Sequence, residues 1–175
     1  EPLPVLSPPV SDYQTWIEFT PNSGLFKVLM PSLPQHAVDK INDPKTKSSK
    51  KYEIYMSEEK DGTIYIVNLI SFPDQKEVGL AQEELLNSVM NDMLISDPEN
   101  NLVATQAGEY KGNKTLDFMI QNKTLSYDVR AIAVDKYLIV LSSVTKLATH
   151  NPKDFEFFIN SFELIPRKEG LEQKK

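Results

Sequence analysis

The sequence predicts an α+β fold: a mainly antiparallel sheet of about six to eight strands flanked by a long helix and a short C-terminal helix, stacked as three α/β/α layers. Three observations predict it. Strand-like runs follow the order ββ, ββ, α, ββββ, α, and the turns within each group are too short for a parallel crossover. One long run changes from a period of two to a period of 3.6. A short run near the C-terminus gathers aromatic rings on one helical face. An open β-sandwich, or a barrel with packed helices, is the rival architecture.

Tyr13 to Phe19 and Leu25 to Met30 alternate apolar and polar residues and form a hairpin around "TPNSG". Phe26, Val28 and Met30 share a face. Pro31 lacks the amide proton that a ladder needs, and Pro34 repeats the block, so the Pro-x-x-Pro exit marks where a strand stops. Residues 40–51, "KINDPKTKSSKK", are lysine-rich without periodicity and read as a loop. Tyr52 to Ser57 and Thr63 to Phe72 flank Asp61-Gly62, a hairpin signal because glycine tolerates positive φ. The second of these strands is apolar on both faces, which predicts a central position in the sheet.

Val78, Ala81, Leu85, Leu86, Val89, Met90, Met93 and Leu94 then follow helical spacing, with Asp74 as the expected N-cap and Asp97-Pro98 as the stop. Four strands succeed it: Val103 to Tyr110, Thr115 to Gln121, Leu125 to Asp135 and Tyr137 to Thr145. Asn151 followed by Pro152 opens the last helix as cap and first-turn proline. Phe155, Phe158, Ile159 and Phe162 line its inner face.

Composition narrows the function. The net charge of −6 and pI near 5.0 exclude nucleic acid as the expected partner, because phosphate binding needs an excess of Lys and Arg. The absence of cysteine removes disulfides, thiolate metal sites and cysteine nucleophiles. No apolar run reaches the roughly 20 residues that a membrane-crossing helix needs. Residues 1–11 hold Pro2, Pro4, Pro8 and Pro9 and read as an extended tether, 12–166 as one folded domain, and 167–175 as a polar tail. A tether at the start of a chain that opens on Glu1 suits an exported bacterial protein held peripherally at a membrane by an upstream anchor; a cytosolic protein is the alternative.

Six local features occur together: Trp16, the Gly24 to Pro31 strand exit, the Glu109-Tyr110-Lys111-Gly112 turn, Arg130, Tyr137 and the closing Phe158-Ile159-Asn160-Ser161-Phe162. In these the chain resembles the superfamily of the photosystem II extrinsic protein PsbP and the Ran-binding import factor Mog, and more closely its bacterial exported members. The resemblance implies a fold and no chemistry, since these are packing and turn positions.

A search for chemistry returns little. His36 and His150 are the only histidines; both fall in expected loops, without a G-x-S-x-G elbow or zinc spacing. No phosphate-binding glycine loop is present, and no metal or cofactor is expected. The reading is a non-enzymatic binding or assembly module with an unidentified protein partner. Its interaction surface is placed on the loops at 31–50 and 97–102, with Pro31, Pro34, His36, Lys45, Lys47, Lys50, Lys51, Asp97 and Glu99 as candidates. The second reading is a cytosolic protein-binding adaptor. The third is a carrier of a small ligand or lipid, its pocket lined by Met90, Met93, Phe118 and Phe158.

Overall fold

The structure is a computed structural model and describes residues 13–42, 49–73 and 81–166. Five strands precede the first helix: β1 (Ile17–Phe19), β2 (Phe26–Met30), β3 (Gln35–Asn42), β4 (Ser49–Glu58) and β5 (Ile64–Ser71). After α1 (Gln82–Ile95) come β6 (Asn101–Tyr110), β7 (Asn113–Gln121), β8 (Leu125–Val134) and β9 (Tyr137–Lys146), then α2 (Pro152–Ser161) and β10 (Glu163–Leu164). Seven strands form one antiparallel sheet in the order β3-β4-β5-β9-β8-β7-β6, and β1-β2-β10 form a smaller one. The sheet is open, because its edge strands β3 and β6 do not pair with each other.

Turn chemistry sets the hairpins. Between β4 and β5, Gly62 takes φ 92°, and the Asp61 carboxylate accepts the Thr63 amide at 2.9 Å. Between β6 and β7, Lys111 and Gly112 are both left-handed, at φ 48° and 81°, which matches the twist of a two-residue hairpin. Asn151 caps α2 as expected, its side chain accepting the Lys153 amide at 3.1 Å, with Pro152 in the first turn.

Two cores lie on opposite sides of the large sheet, as alternation along β9 requires. Leu138 and Val140 join the cluster under α1, with Leu116, Phe118 and Ile120 of β7 and Leu86 of α1. Ile139 and Leu141 join the other cluster, with Tyr65, Val67 and Leu69 of β5, Phe26, Val28 and Met30 of β2, and Phe158 and Phe162. The second face is thus shared by α2 and the small sheet, whereas the sequence pattern assigns it to a helix alone.

Other differences have local causes. Tyr13–Thr15 is a 3-10 turn, closed by the Trp16 amide donating to the Tyr13 carbonyl at 3.1 Å, and not the start of a strand. The expected loop at 40–51 is wrong at both ends: β3 runs to Asn42 and β4 begins at Ser49, in register from Gln35↔Met56 to Asn42↔Ser49. An edge strand exposed on both faces carries no apolar alternation and so imitates a loop. β10 was not anticipated; it is two residues long and pairs Leu164 with Phe26. The described helix begins at Gln82 with Ala81 at its cap position, and the expected cap Asp74 lies outside the described residues, as do Val78, the expected tether at 1–11 and the expected tail at 167–175.

Candidate functional site

Both edge strands are open to solvent. Every residue of β3 is exposed, and so is every residue of β6 except half-buried Tyr110. Apolar side chains stand out on each: Val38 and Ile41 on β3, Leu102 and Val103 on β6. A single row of unpaired backbone groups beside exposed apolar side chains is a template for another chain.

At the β3 edge, alternation puts Lys51, Glu53 and Tyr55 of β4 on one face, beside His36. The His36 ring stacks on Tyr55 with centroids 4.4 Å apart and planes 7° off parallel. Glu53 collects three partners: Tyr55 donates at 2.6 Å, His36 Nε2 lies at 3.2 Å and Lys51 Nζ at 3.2 Å. Burial pushes the Glu53 carboxyl up, but these donors and the Lys51 charge outweigh it and hold the group below its ordinary range. Burial and the Glu53 carboxylate push the Tyr55 phenol up, so it serves as a donor and not as a nucleophile. The cluster fastens the edge strand to the sheet.

At the β6 edge the small sequence Ala-Thr-Gln-Ala-Gly, residues 104–108, leaves a groove on either face. One, about 370 Å³, runs between β6 and α1 and is lined by Ala107, Glu109, Leu116 and Glu83. The other, about 390 Å³, runs between β6 and α2 and is lined by Ala104, Gln106, Met119, Phe155, Glu156 and Ile159. Two carboxylates in the lining of the second, Asp117 and Asp128, are already engaged. Arg130 donates from Nε and Nη2 to the two oxygens of Asp117, 2.7 Å each. His150 Nε2 meets Asp128 at 2.6 Å, with both side chains nearly buried. Burial pushes the Asp128 carboxyl up, and His150 offsets this only in part.

The candidate residues do not converge. Pro31 and Pro34 bound the link from β2 to β3, which Ser32 pins to β4 through its amide on Ser57 Oγ at 3.0 Å. His36 and Lys51 meet at Glu53, and Lys50 lies 5.0 Å above the Phe72 ring. His36 therefore sits on a strand, and neither it nor Lys50 and Lys51 belongs to a loop. Lys45 and Lys47 lie outside the described residues. Asp97 and Glu99 occupy the turn into β6, where Asp97 accepts the Glu99 amide at 2.9 Å and Glu99 pairs with Lys123 at 3.5 Å. That turn leads to the opposite edge, six strand spacings or roughly 29 Å from β3.

His150 is in a loop, as expected, but it is held by Asp128 and not solvated. Among the described residues neither histidine ring is bonded to a Ser or Thr hydroxyl, and no three His, Asp or Glu side chains converge on a point that could hold a metal. The carrier pocket does not form from the residues assigned to it, because Met90, Met93 and Phe118 belong to one core and Phe158 to the other. Glu53 and the pairing of Asp128 with His150 were missed. Glu53 had a signal, the alternation Lys51-Glu53-Tyr55; the distant pairing had none.

No protein-family model matches the chain, and no curated protein matches it. Among solved structures, the solution structure of cyanobacterial PsbP (CyanoP) from Synechocystis sp. PCC 6803 superposes with a TM-score of 0.52 at 14% identity, over 93% of this chain and 99% of that one. The chain has a PsbP-like fold. At this identity the likeness carries architecture alone. The PsbP-like marks in the sequence now have places: Trp16 and Phe158 meet in the core, the 109–112 turn joins β6 to β7, and Tyr110 donates to the Phe162 carbonyl at 3.3 Å.

Proposed function

We propose that the chain is a non-enzymatic binding or assembly module that holds a protein partner along an open edge of its large sheet. One observation carries the reading: both edge strands are exposed along their described length, with apolar side chains outward. Within this reading 12–166 is the folded unit, 1–11 a tether and 167–175 a tail. The module works peripherally at a bacterial cell envelope, which the proline-rich composition of the tether and the PsbP-like fold support.

A photoreactive amino acid at Val38 on β3 or Val103 on β6 tests it in cells. A discrete protein adduct from either position is expected, in the envelope fraction. No protein adduct from both positions, with a stoichiometric lipid or small molecule retained on purification, would replace the module with a carrier.

A further inference from the structure

We propose that β6 is a docking strand for an extended, basic segment of a partner protein, which adds to the sheet as an eighth strand and sends alternate side chains into the grooves on its two faces. This rests on the module reading above and names its edge and its partner's chemistry.

The two edges differ in their defences. Natural edge strands are blunted by lysine, proline, bulges or inward-pointing charge. β3 carries Asp39 and Lys40 mid-strand, and its neighbour β4 contributes Lys50 and Lys51. β6 has no lysine and no proline, and its irregularity is confined to Leu102/Ala104. From Ala104 to Tyr110 it pairs with β7 in unbroken register, so its outer side presents a regular, unpaired ladder among the described residues.

The side chains of β6 also suit a neighbour. Added strands lie about 4.8 Å away, so their side chains reach across the edge strand wherever it is small. Ala104, Ala107 and Gly108 are small, and they border the grooves. Alternation then fixes the chemistry, since successive side chains of the incoming strand enter opposite grooves.

Charge decides the occupant. In the groove toward α2, Asp117 and Asp128 are already paired, which leaves Glu156 without an ion-pair partner among the described residues. In the groove toward α1, Lys114 stands directly opposite Glu109 in register but its ammonium lies 3.0 Å from Glu83. Glu109 is likewise without an ion-pair partner among the described residues. Among the described residues each groove therefore offers one open carboxylate. Glu109 lies at the far end of β6 from the Ala104–Gln106 stretch that borders the Glu156 groove, so the two are matched by Lys or Arg roughly three residues apart, an odd spacing that places them on opposite faces. A second copy of this chain fits poorly, because it would bring the same two carboxylates and a net charge of −6.

The test pans a phage-displayed library of random peptides of about twelve residues on the purified chain. The strongest binder is then titrated by fluorescence anisotropy and located by hydrogen exchange. The expected winners carry Lys or Arg about three apart among β-branched or small residues, and they protect β6 amides between Ala104 and Tyr110. Glu109→Gln and Glu156→Gln, both exposed and without an ion-pair partner among the described residues, are expected to weaken binding about threefold each and about tenfold together. Winners without basic residues, protection at β3, no winner at all, or a dimer of the chain that protects β6 without peptide would each overturn the proposal. Cellular adducts from Val38 or Val103 would still stand in that event, so its failure is separable from that of the module reading.

Discussion

Arg130 and Asp117 face each other directly across the β7–β8 ladder and join by two parallel bonds of 2.7 Å, Nε to Oδ1 and Nη2 to Oδ2. The hydrogen bonds that Arg130 donates to Asp117 outweigh burial and raise the guanidinium's affinity for its proton. Lysine cannot reproduce a planar fork, so Arg130→Lys keeps the charge and loses one bond. Because both side chains are partly exposed, the expected cost is only about 1 kcal/mol, read as a lower urea midpoint at unchanged slope. A variant as stable as the parent would mean that the pair contributes charge alone.

Glu53 gives the β3 edge an acid-sensitive fastening. Its carboxyl lies below the ordinary value of 4.5, so the folded state favours the ionised form. The stability this supplies is present above the unfolded value and is lost as pH falls through the lower, folded one. Glu53→Gln is expected to lose about 2 kcal/mol at pH 7, with the gap to the parent closing below about pH 4.5. Urea unfolding across this pH range measures it; a gap that stays constant would show that the cost is packing and not charge.

The same cluster shows what a sequence can and cannot disclose. The central strands were legible because burial on one or both faces writes a period of two, as in β5, or a helical period, as in α2. The PsbP-like architecture was legible through turn and core residues such as Gly112 and Phe158. β3 was hidden because exposure on both faces removes the pattern, and the lysines that suit an edge strand also suit a loop. His150 and Asp128 lie 22 residues apart in sequence, and only the folded path of β8 and the turn before α2 brings them together. The β6 grooves belong to the same class: small residues mark them, but their walls come from α1 and α2.

The aromatic core offers a direct measure of packing. Trp16 packs edge-on against Tyr65 at 4.8 Å and against Phe157 at 5.3 Å, and its indole donates to Glu59 at 2.8 Å. Phe158 is fully buried against the same Tyr65 at 5.1 Å, whereas Phe155 on the same helix is only partly buried. Phe158→Ala is expected to cost about 3–5 kcal/mol, and Phe155→Ala clearly less. Since Trp16 is the sole tryptophan, its emission follows unfolding without a label. Equal losses at the two positions would show that α2 does not anchor the core through Phe158.

The contact of His150 with Asp128 is well buried, with side chains 11% and 7% exposed. Asp128 sits on β8, and His150 lies one residue before the Asn151 cap, so the contact ties the start of α2 to the sheet beside the β6 groove. Burial holds the Asp128 carboxyl above its ordinary value of 3.8, which makes its ionised form a cost to the folded state. That cost is absent below the unfolded value, grows as pH rises from it toward the higher folded one, and is constant above that. Removing the partner exposes it fully: His150→Leu is expected to lose about 3 kcal/mol near pH 7. The loss should shrink as acid protonates Asp128, whereas a variant that merely leaves a hole would show a loss independent of pH. Adding Asp128→Asn to His150→Leu removes the charge and should restore part of the loss at pH 7 while flattening its pH dependence. If the double variant is no more stable than His150→Leu at pH 7, the contact holds α2 by shape and hydrogen bonding, and the charge on Asp128 is not what His150 offsets.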